Sequence, residues 1–489
     1  MDEYARDKEA FRAILEALRI TPPLPASATD RLVADAPILP YGENATIFGP
    51  DDTHHFSYAV VRGRVRLETV DHAGHPLVVQ MERQGRLFGV EWLPGARQRE
   101  MRAVADAGEN RIALITQETV AKVFSDLSLA HRLGIMSYAW RALSSLVVRK
   151  AEARGLALRD RVVLALRGMA QDFGEPTPNG VRLALRLTAE DIGALVGAES
   201  ASVRHVLMKL AAAGVVSRDN GHLVLRSVLP ADGTEMPPGG PYRGVAAPWA
   251  RGRLCELLAR CDSLGLSHVA KQVIGREATL WAVPAGELLV PADTKDGVAF
   301  IVSGSAWMEG RGSLGRAFTI QLVPHSRFVR LPTGHASDGT RLWSRAHSDV
   351  IVGLLTLEQM REVIDAMRVE GALRLLHVTC RDLSRHLCNS TTAPTRTVPC
   401  RLLHAFLFLA HDFGKSVGDG IAIKTSLTLA DLARLVDAQH PAVARAFREL
   451  RDAGWVDRVA PQRYVLKRIP RREPAARRRC PICSPDPGA

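Results

Sequence analysis

Two segments of the chain, 240 positions apart, carry the same pattern of residues. Residues 187–216 read LTAEDIGALVGAESASVRHVLMKLAAAGVV, and residues 427–456 read LTLADLARLVDAQHPAVARAFRELRDAGWV, so the two align without a gap. The same offset relates Ala170–Gly174 to Ala410–Gly414. Because chance does not produce an ordered series of matches, the repeat predicts two copies of one folding unit in a single chain.

The chain has room for several domains. Its 489 residues exceed one ordinary domain, and 46% hydrophobic with 24% charged residues predict several buried cores. Between the copies, Leu229–Gly252 is rich in Pro and Gly and has neither helical nor strand periodicity, which predicts a linker. The 64 Lys and Arg against 52 Asp and Glu give a net charge of +12, which favours a polyanionic partner, although simple solubility explains it equally well.

Several classes of protein are not expected. The first residues lack a basic segment leading into an apolar one, and the most apolar stretch, Leu402–Ala410, is far shorter than the roughly 20 residues that span a bilayer. We therefore expect a cytoplasmic protein without a membrane partner. Seven cysteines in a chain of this length favour reduced thiols. No Walker loop, nucleophile elbow or catalytic carboxylate pair is evident, so we predict no enzyme and no catalytic residues.

Each copy begins with a short predicted helix, Phe11–Ile20 and Leu254–Leu264. Strands separated by turns such as Asp71–Gly74 follow, and they include Ala59–Leu67 and Val298–Ala306. Short strands with glycine turns predict a sandwich or a roll.

A long helix comes next in each copy, because apolar residues recur at alternating intervals of four and three, the spacing of a coiled-coil seam. The matched length and phase predict that the two helices pair with each other or with those of a second molecule; packing of each helix on its own domain is the alternative. The residues of this stripe are Leu129, Leu133, Met136, Trp140, Leu143 and Val147 in the first copy, and Val369, Leu373, Leu376, Cys380, Leu383 and Leu387 in the second.

The repeated segments themselves predict a helix-turn-helix. The Thr-x-x-Asp sequences at Thr188 and Thr428 have the spacing of capping boxes. After a tight turn, a second helix begins near Ser200 and near His440, and Asn220-Gly221 predicts a hairpin wing behind the first of these helices. We call this second helix of each copy the reading helix. The residues predicted to face its core are Val203, Leu207 and Leu210, and Val443, Phe447 and Leu450.

The outward face of each reading helix is polar and is predicted to enter the major groove of DNA. Arg445 can make a bidentate contact to guanine, whereas serine and histidine can touch either bases or phosphates. A solvated polar face that binds no DNA is the alternative. The predicted DNA-binding residues are Ser200, Ser202, Arg204, His205 and Lys209 in the first copy and Gln439, His440, Arg445 and Arg448 in the second. A basic C-terminal stretch, either an arm that contacts phosphates or a solvated tail, adds Lys467, Arg468, Arg471, Arg472, Arg477, Arg478 and Arg479.

This layout resembles the Crp/Fnr superfamily of bacterial regulators. The resemblance is strongest in Leu187–Arg226 and Leu427–Leu466 and looser in Gly42–Leu114 and Gly286–Leu355. It implies an α+β fold of two tandem units, each with a cyclic-nucleotide-binding-like β-roll, a long dimerisation helix and a winged helix-turn-helix. The implied boundaries are residues 1–126, 127–156 and 157–228 for these three parts of the first unit, 229–252 for the linker, 253–358, 359–390 and 391–468 for the second unit, and 469–489 for a basic tail.

Ordinary members of this superfamily are homodimers of single units. Two units in one chain suggest an intramolecular pseudo-dimer that reads an inverted repeat in double-stranded DNA, with half-sites about 34 Å apart. Since the two reading helices differ, we predict unequal half-sites. The resemblance also implies contact with RNA polymerase, and further association into a homodimer stays open. The alternative function is a ligand-sensing or protein-binding adaptor with degenerate winged helices.

The resemblance also indicates where an effector would bind. In members that bind cyclic AMP, a Gly-Glu pair holds the ribose and a later arginine holds the phosphate. Here Gly89 fits, but the glutamate, Glu91, is displaced by one residue, which on a strand faces the other side. Arg99 and Arg102 are the candidate arginines, and the second copy lacks the pattern. The first copy is more similar to members that respond to other signals, such as the FixK-like group, so a cyclic nucleotide or dinucleotide effector stays open and no cofactor is assigned.

Cys480 and Cys483 have the spacing of metal ligands. A structural site needs four ligands, and only Cys255 and Cys261 could complete this one across the fold. The histidines of the first roll, at 54, 55, 72 and 75, have the positions of loop residues. We therefore predict no metal site.

Overall fold

A computed structural model gives the fold of this protein. It describes residues 3–49, 52, 56–70, 75–89, 101–226, 243–260, 266–290, 297–312, 316–330, 341–367, 369–418 and 420–467. The predicted turn Asp71–Gly74, the arginines at 468–479, and Cys261, Cys480 and Cys483 lie outside these ranges. No helix of the described ranges is both long enough and apolar enough to cross a membrane.

The first half opens with two helices, α1 (Glu3–Glu16) and α2 (Ala26–Asp35), packed on a roll of two antiparallel sheets. Its strands are β1 Ile38–Tyr41, β2 Thr46–Phe48, β3 Phe56–Arg62, β4 Arg64–Val70, β5 Pro76–Arg83, β6 Leu87–Phe88, β7 Arg102–Ala105 and β8 Asn110–Thr116. The sheets have the orders β1-β8-β3-β6 and β2-β7-β4-β5, with Phe48, Tyr58 and Phe88 in the core between them.

The second half contains a similar roll. Two helices, α8 (Arg251–Arg260) and α9 (His268–Glu277), pack beside sheets of order β13-β14-β20-β15-β18 and β17-β16-β19. The strands are β13 Val245–Ala246, β14 Thr279–Val283, β15 Val298–Ser303, β16 Ser305–Arg311, β17 Ala317–Pro324, β18 Phe328–Arg330, β19 Arg341–Ala346 and β20 Val350–Leu355.

Each run predicted as one strand, Ala59–Leu67 and Val298–Ala306, is in fact two strands. Gly63 and Gly304 both have a φ of 88°, a conformation that residues with a Cβ rarely adopt, and the chain turns there. A Cβ on Gly63 would lie 2.3 Å from Asn110 Oδ1, so the position also needs glycine for space.

Two long helices follow the rolls. They are α4 (Leu129–Ala153) after α3 (Gln117–Asp126), and α11 (Val369–Thr392) after α10 (Leu357–Asp365). The start predicted for the second long helix, residue 359, is wrong, because a separate helix, α10, ends at Asp365 and the long helix α11 begins only at Val369. The two long helices pack against each other, as predicted from their apolar stripes, and Leu143 of α4 shares a core with Leu376 of α11.

A winged helix-turn-helix closes each half. The helices are α5 Leu158–Phe173, α6 Ala189–Val196 and α7 Ser200–Ala212 in the first half, and α12 Val398–Phe413, α13 Leu429–Val436 and α14 His440–Asp452 in the second. The strands are β9 Gly174–Thr177, β10 Gly180–Leu183, β11 Val216–Asp219 and β12 His222–Leu225, and then β21 Gly414–Val417, β22 Gly420–Ile423, β23 Val456–Ala460 and β24 Arg463–Leu466. The two small sheets have the same topology, β11-β12-β10-β9 and β23-β24-β22-β21.

The predicted linker extends too far at its C-terminal end. Its residues up to 242 lie outside the described ranges, but β13 pairs with β14, a 3₁₀ turn occupies Pro248–Ala250, and α8 starts at Arg251. Ala247 and Ala250 are fully buried, so small side chains that carry no periodicity dock this segment into a core. The predicted helices Phe11–Ile20 and Leu254–Leu264 likewise begin earlier, at Glu3 and at Arg251.

Candidate nucleic-acid interface

Both helix-turn-helix segments are opened by the predicted capping boxes, which the structure confirms. Thr188 Oγ1 accepts a hydrogen bond from the Asp191 amide at 3.1 Å, and Asp191 Oδ2 accepts one from the Thr188 amide at 2.8 Å. The same two distances recur at Thr428 and Asp431. Each box satisfies amides that the first helical turn leaves unpaired, and this fixes where the helix starts.

The turn before each reading helix is left-handed. Gly197 ends α6 with a φ of 66°, and Asp437 ends α13 with a φ of 49°. The reading helices α7 and α14 then begin at Ser200 and at His440. Short left-handed turns of this kind set the angle at which the reading helix leaves its partner.

The apolar faces of the reading helices are buried in two separate cores. Val203 and Leu210 are fully buried as predicted, but Val206 rather than Leu207 is the third buried residue of α7. In α14 the buried residues are Val443, Ala446, Phe447 and Leu450. Leu207 is half-buried at the edge of the core, because its position lies one residue further around the helix.

The polar faces of both reading helices point to solvent. Ser200 is half-buried, and the other eight predicted DNA-binding residues are exposed: Ser202, Arg204, His205, Lys209, Gln439, His440, Arg445 and Arg448. Met208 lies on the same face of α7 and is 64% exposed, a candidate that a search for polar residues missed. The exposed cations of α7 are Arg204 and Lys209, whereas α14 exposes three arginines together with Glu449 and Asp452.

A hairpin wing follows each reading helix. Asn220 and Gly221 both have positive φ, as a type I′ turn requires, which confirms the first wing. The second wing, β23–β24, was expected from the family resemblance alone, because its turn has no Asn-Gly pair; Gln462 takes the positive φ there. Exposed arginines lie on both wings, at Arg218 in the first and at Arg458 and Arg463 in the second.

In each half, an ion pair links the winged helix to the roll of the same half. Arg86 Nη2 lies 3.0 Å from Asp172 Oδ1 in the first half, and Arg327 Nη2 lies 3.8 Å from Asp412 Oδ1 in the second. Both aspartates are near the end of the first helix of a winged helix-turn-helix, α5 or α12. The reading helices are therefore held in a defined orientation relative to the rolls.

The second winged helix has further contacts to its roll. Arg434 on α13 pairs with Glu309 on β16, and its guanidinium lies 5.0 Å from the centre of the Trp307 ring. His347 Nε2 lies 3.8 Å from Asp431 Oδ2 in the capping box. Burial raises the pKa of Asp431, but the neighbouring His347 and the hydrogen bonds from Thr428 outweigh burial and lower this pKa to about 2.

The predicted effector residues are only partly within the described ranges. Gly89 has a φ of 70°, and a Cβ there would lie 2.9 Å from the ring of Tyr58. Arg102 Nη2 pairs with Glu68 Oε2 at 2.8 Å, while the neighbouring Ala103 belongs to the core of the roll. Because side chains alternate along a strand, Arg102 faces away from that core. Glu91 and Arg99 lie outside the described residues, and an effector contact at these four positions stays a prediction.

One cysteine differs from the expectation that the thiols are reduced. Cys255, Cys380 and Cys388 are not disulfide-bonded, but Cys400, at the start of α12, is. The count of cysteines carries no information on which of them meet in the fold, and the expectation of reduced thiols rested on that count. Among the described residues, no three His, Cys, Asp or Glu side chains are grouped so that they could hold a metal ion.

No protein-family model matches the chain. The global nitrogen regulator of Synechocystis sp. (strain PCC 6803) is 32% identical over 184 residues, which cover 36% of this chain and 79% of that protein. The c-di-GMP-responsive global regulator CLP of Xanthomonas campestris is a structural neighbour with 23% identity and a TM-score of 0.35, covering 42% of this chain and all of CLP. A CRP/FNR-family transcriptional regulator of Thermus thermophilus has 24% identity and a TM-score of 0.29, covering 39% of this chain and 94% of that protein.

Proposed function

This chain belongs to the Crp/Fnr family of DNA-binding transcriptional regulators, and we propose that it binds one DNA site with both of its winged helices as an intramolecular pseudo-dimer. In this proposal the two halves are fused copies of one family unit, and α4 and α11 form the dimerisation seam within a single chain. The global nitrogen regulator of Synechocystis and the transcriptional regulator SdrP of Thermus thermophilus each cover 36% of the chain, as expected if one relative corresponds to one half.

The observation that carries the proposal is the exposure of both reading helices. Each buries its apolar face in its own winged-helix core and leaves its polar face to solvent. An α-helix of this kind fits the major groove of B-DNA, where each base pair presents a distinct pattern of donors and acceptors. Exposed arginines on the wings are placed to contact phosphates beside the groove.

The two reading helices would read different sequences. Arg445 and Arg448 of α14 suit guanine, whose O6 and N7 accept a bidentate pair of hydrogen bonds. In α7 the shorter polar side chains of Ser200, Ser202 and His205 accompany Arg204 and Lys209, and Met208 can contact the methyl group of thymine in the way that other apolar side chains do. We therefore expect a guanine-rich half-site for the second half and a different one for the first.

The proposal includes control by an effector and leaves the identity of that effector open. The structural neighbour CLP is responsive to c-di-GMP, and the predicted effector positions of this chain are Gly89, Glu91, Arg99 and Arg102. The proposed setting is the cytoplasm, with double-stranded DNA and RNA polymerase as partners.

The test is a selection of bound sites from random duplex DNA, followed by affinity measurements at several salt concentrations. The proposal expects an imperfect inverted repeat with centres about one helical turn apart. It also expects an affinity that falls steeply with salt, because bound phosphates release their counterions. A strictly symmetric site would contradict unequal reading helices. Absence of any salt-dependent DNA binding would favour the protein-binding adaptor instead.

A further inference from the structure

A cavity of about 90 Å³ lies where the first winged helix meets the first roll and the ends of both long helices. Its wall includes Val79 and Gln80 of β5, Lys150 near the end of α4, and several residues of α5. Pro394, just beyond α11, closes it from the second half. A molecule in this cavity would touch α4, α5, β5 and the end of α6, the helix that precedes the first reading helix.

The cavity wall carries more positive than negative charge. Arg149 is balanced by Asp172 at 3.8 Å. Among the described residues, Lys150 Nζ donates to two neutral groups, the carbonyls of Val78 and Leu195, each at 3.2 Å. Arg161 has a buried Nε without a hydrogen-bond partner among the described residues, and so has Arg401 at its repeat position. Burial and the charge of Arg149 lower the pKa of Lys150 to about 8, and burial also lowers the pKa of Arg161.

The second half contains the same arrangement of cations, again supplied in part by α4. Arg154 donates a hydrogen bond to the carbonyl of Thr319. Thr319 is the repeat equivalent of Val78, whose carbonyl accepts a hydrogen bond from Lys150 in the first half. The repeat position of Arg154 itself is Pro394. The end of α4 therefore places one cation against each roll, Lys150 on the first side and Arg154 on the second.

The two sides differ in whether the chain itself supplies a carboxylate near these cations. On the second side the carboxylate of Asp437 pairs with Arg316 at 3.0 Å, and its charge also acts on Arg154 and Arg401, although Arg401 itself donates to the backbone carbonyls of Val436 and Asp437. Arg401 is the repeat equivalent of Arg161. The residue that corresponds to Asp437 on the first side is Gly197. Both residues end the first helix of the helix-turn-helix in the left-handed conformation, so the backbone is alike and only the carboxylate is missing.

We propose that the cavity beside Lys150 and Arg161 binds a small anion with phosphate or carboxylate oxygens, which supplies the counter-charge that Asp437 supplies on the second side. The anion joins α4, α5 and the first roll through charge-assisted hydrogen bonds, which are about twice as strong as neutral ones. Its occupancy then sets how firmly the first reading helix is held, whereas the second has its carboxylate built in. The binding step itself does not depend on the proposed DNA function.

The first test is calorimetric titration of the full chain with inorganic phosphate and, separately, with succinate, at constant ionic strength and with sodium chloride as the reference salt. We expect saturable binding of one anion per chain to at least one of the two, and the pair of titrations tells phosphate from carboxylate chemistry. Arg161→Gln should weaken that binding by about tenfold or more, because it removes one charged donor. The matched variant Arg401→Gln, at the repeat position, should leave the affinity unchanged. Absence of saturable binding to either anion, or an equal loss in both variants, would overturn the proposal.

A second variant copies the carboxylate of the second side into the first. Gly197→Asp is combined with Thr395→Gly for two reasons. A Cβ at position 197 would lie 2.8 Å from Thr395 Cγ2. On the second side the residue that faces Asp437 is Gly155, which is the repeat equivalent of Thr395. The expected result is loss of anion binding together with a higher unfolding temperature in anion-free buffer. An unchanged anion affinity in this folded variant would contradict the site.

Discussion

Arg445 offers the sharpest test among the individual residues of the reading surfaces. It is exposed on α14, and a bidentate contact to guanine is its expected role. Arg445→Ala should weaken binding to the selected site by about 1–3 kcal/mol and relax the base preference at one position. Fluorescence anisotropy and a repeated selection measure the two effects. Arg260→Ala removes the same charge from α8, outside the winged helices, and serves as the control; equal losses in both variants would withdraw the assignment.

Glu82 gives a pH-dependent prediction. The carboxyl group lies at the base of the first winged helix, and burial raises its pKa from 4.5 to about 7 against the opposing effects of Arg86 and Gln80. The folded state therefore holds a proton that the unfolded state releases, so the contribution of Glu82 to stability is lost as the pH rises from about 4.5 through 7.

Glu82→Gln keeps the shape of the side chain and removes this titration. The free energy of unfolding of the variant should exceed that of the wild type by a margin that grows between pH 5 and pH 8, to at most about 3 kcal/mol. Urea unfolding at several pH values measures the margin. A margin that is the same at both ends of this pH range would show that the carboxyl group titrates normally.

At the scale of elements, the capping boxes of α6 and α13 should contribute alike, since their distances are equal. Thr188→Ala and Thr428→Ala each remove the hydroxyl that accepts from the third residue of the helix, and each should cost about 0.5–2 kcal/mol of stability. Replacement by serine keeps the acceptor and should restore most of the loss. Denaturant midpoints report these changes, and an alanine variant as stable as the wild type would remove the box from the list of stabilising contacts.

The seam between the long helices makes a second prediction at this scale. Leu376 of α11 is only 4% exposed and shares a core with α4. Leu376→Ala should cost about 2–5 kcal/mol, because the cavity that it leaves does not close completely. Arg374 lies on the same helix and is exposed, so Arg374→Ala should change stability by less than about 0.5 kcal/mol. Similar small losses in both variants would mean that the helices do not depend on this contact.

The elements that sequence alone predicts well are those with a strong local signal. The stripes of α4 and α11, the capping boxes at Thr188 and Thr428 and the Asn220-Gly221 turn all depend on residues a few positions apart. Contacts between distant segments leave no such signal. Glu309 and Arg434 are 125 positions apart, and the segment that follows β13 docks through Ala247 and Ala250, small side chains without a period. Burial of Val206 rather than Leu207 likewise depends on how α7 is rotated against its core, which only the packed structure fixes.

The whole molecule should occupy DNA as one chain. In the proposed pseudo-dimer both reading helices come from the same polypeptide of 53.3 kDa, so a complex with one duplex should contain a single copy. Binding curves should follow a simple one-site isotherm, without the concentration dependence of a dissociating homodimer. Mass measurement of the complex by light scattering tests this. Two chains on one duplex would contradict the intramolecular arrangement.

The packing of α4 against α11 joins two halves that are similar but not identical. A homodimer looks the same from either end of its operator, whereas this molecule has a distinguishable front and back. On a site with two unequal half-sites it would bind in a single orientation, so that its first roll always lies on the same side of the site. Asymmetry within one gene product would thus give a promoter complex its direction, and each half could change its contacts without altering the other.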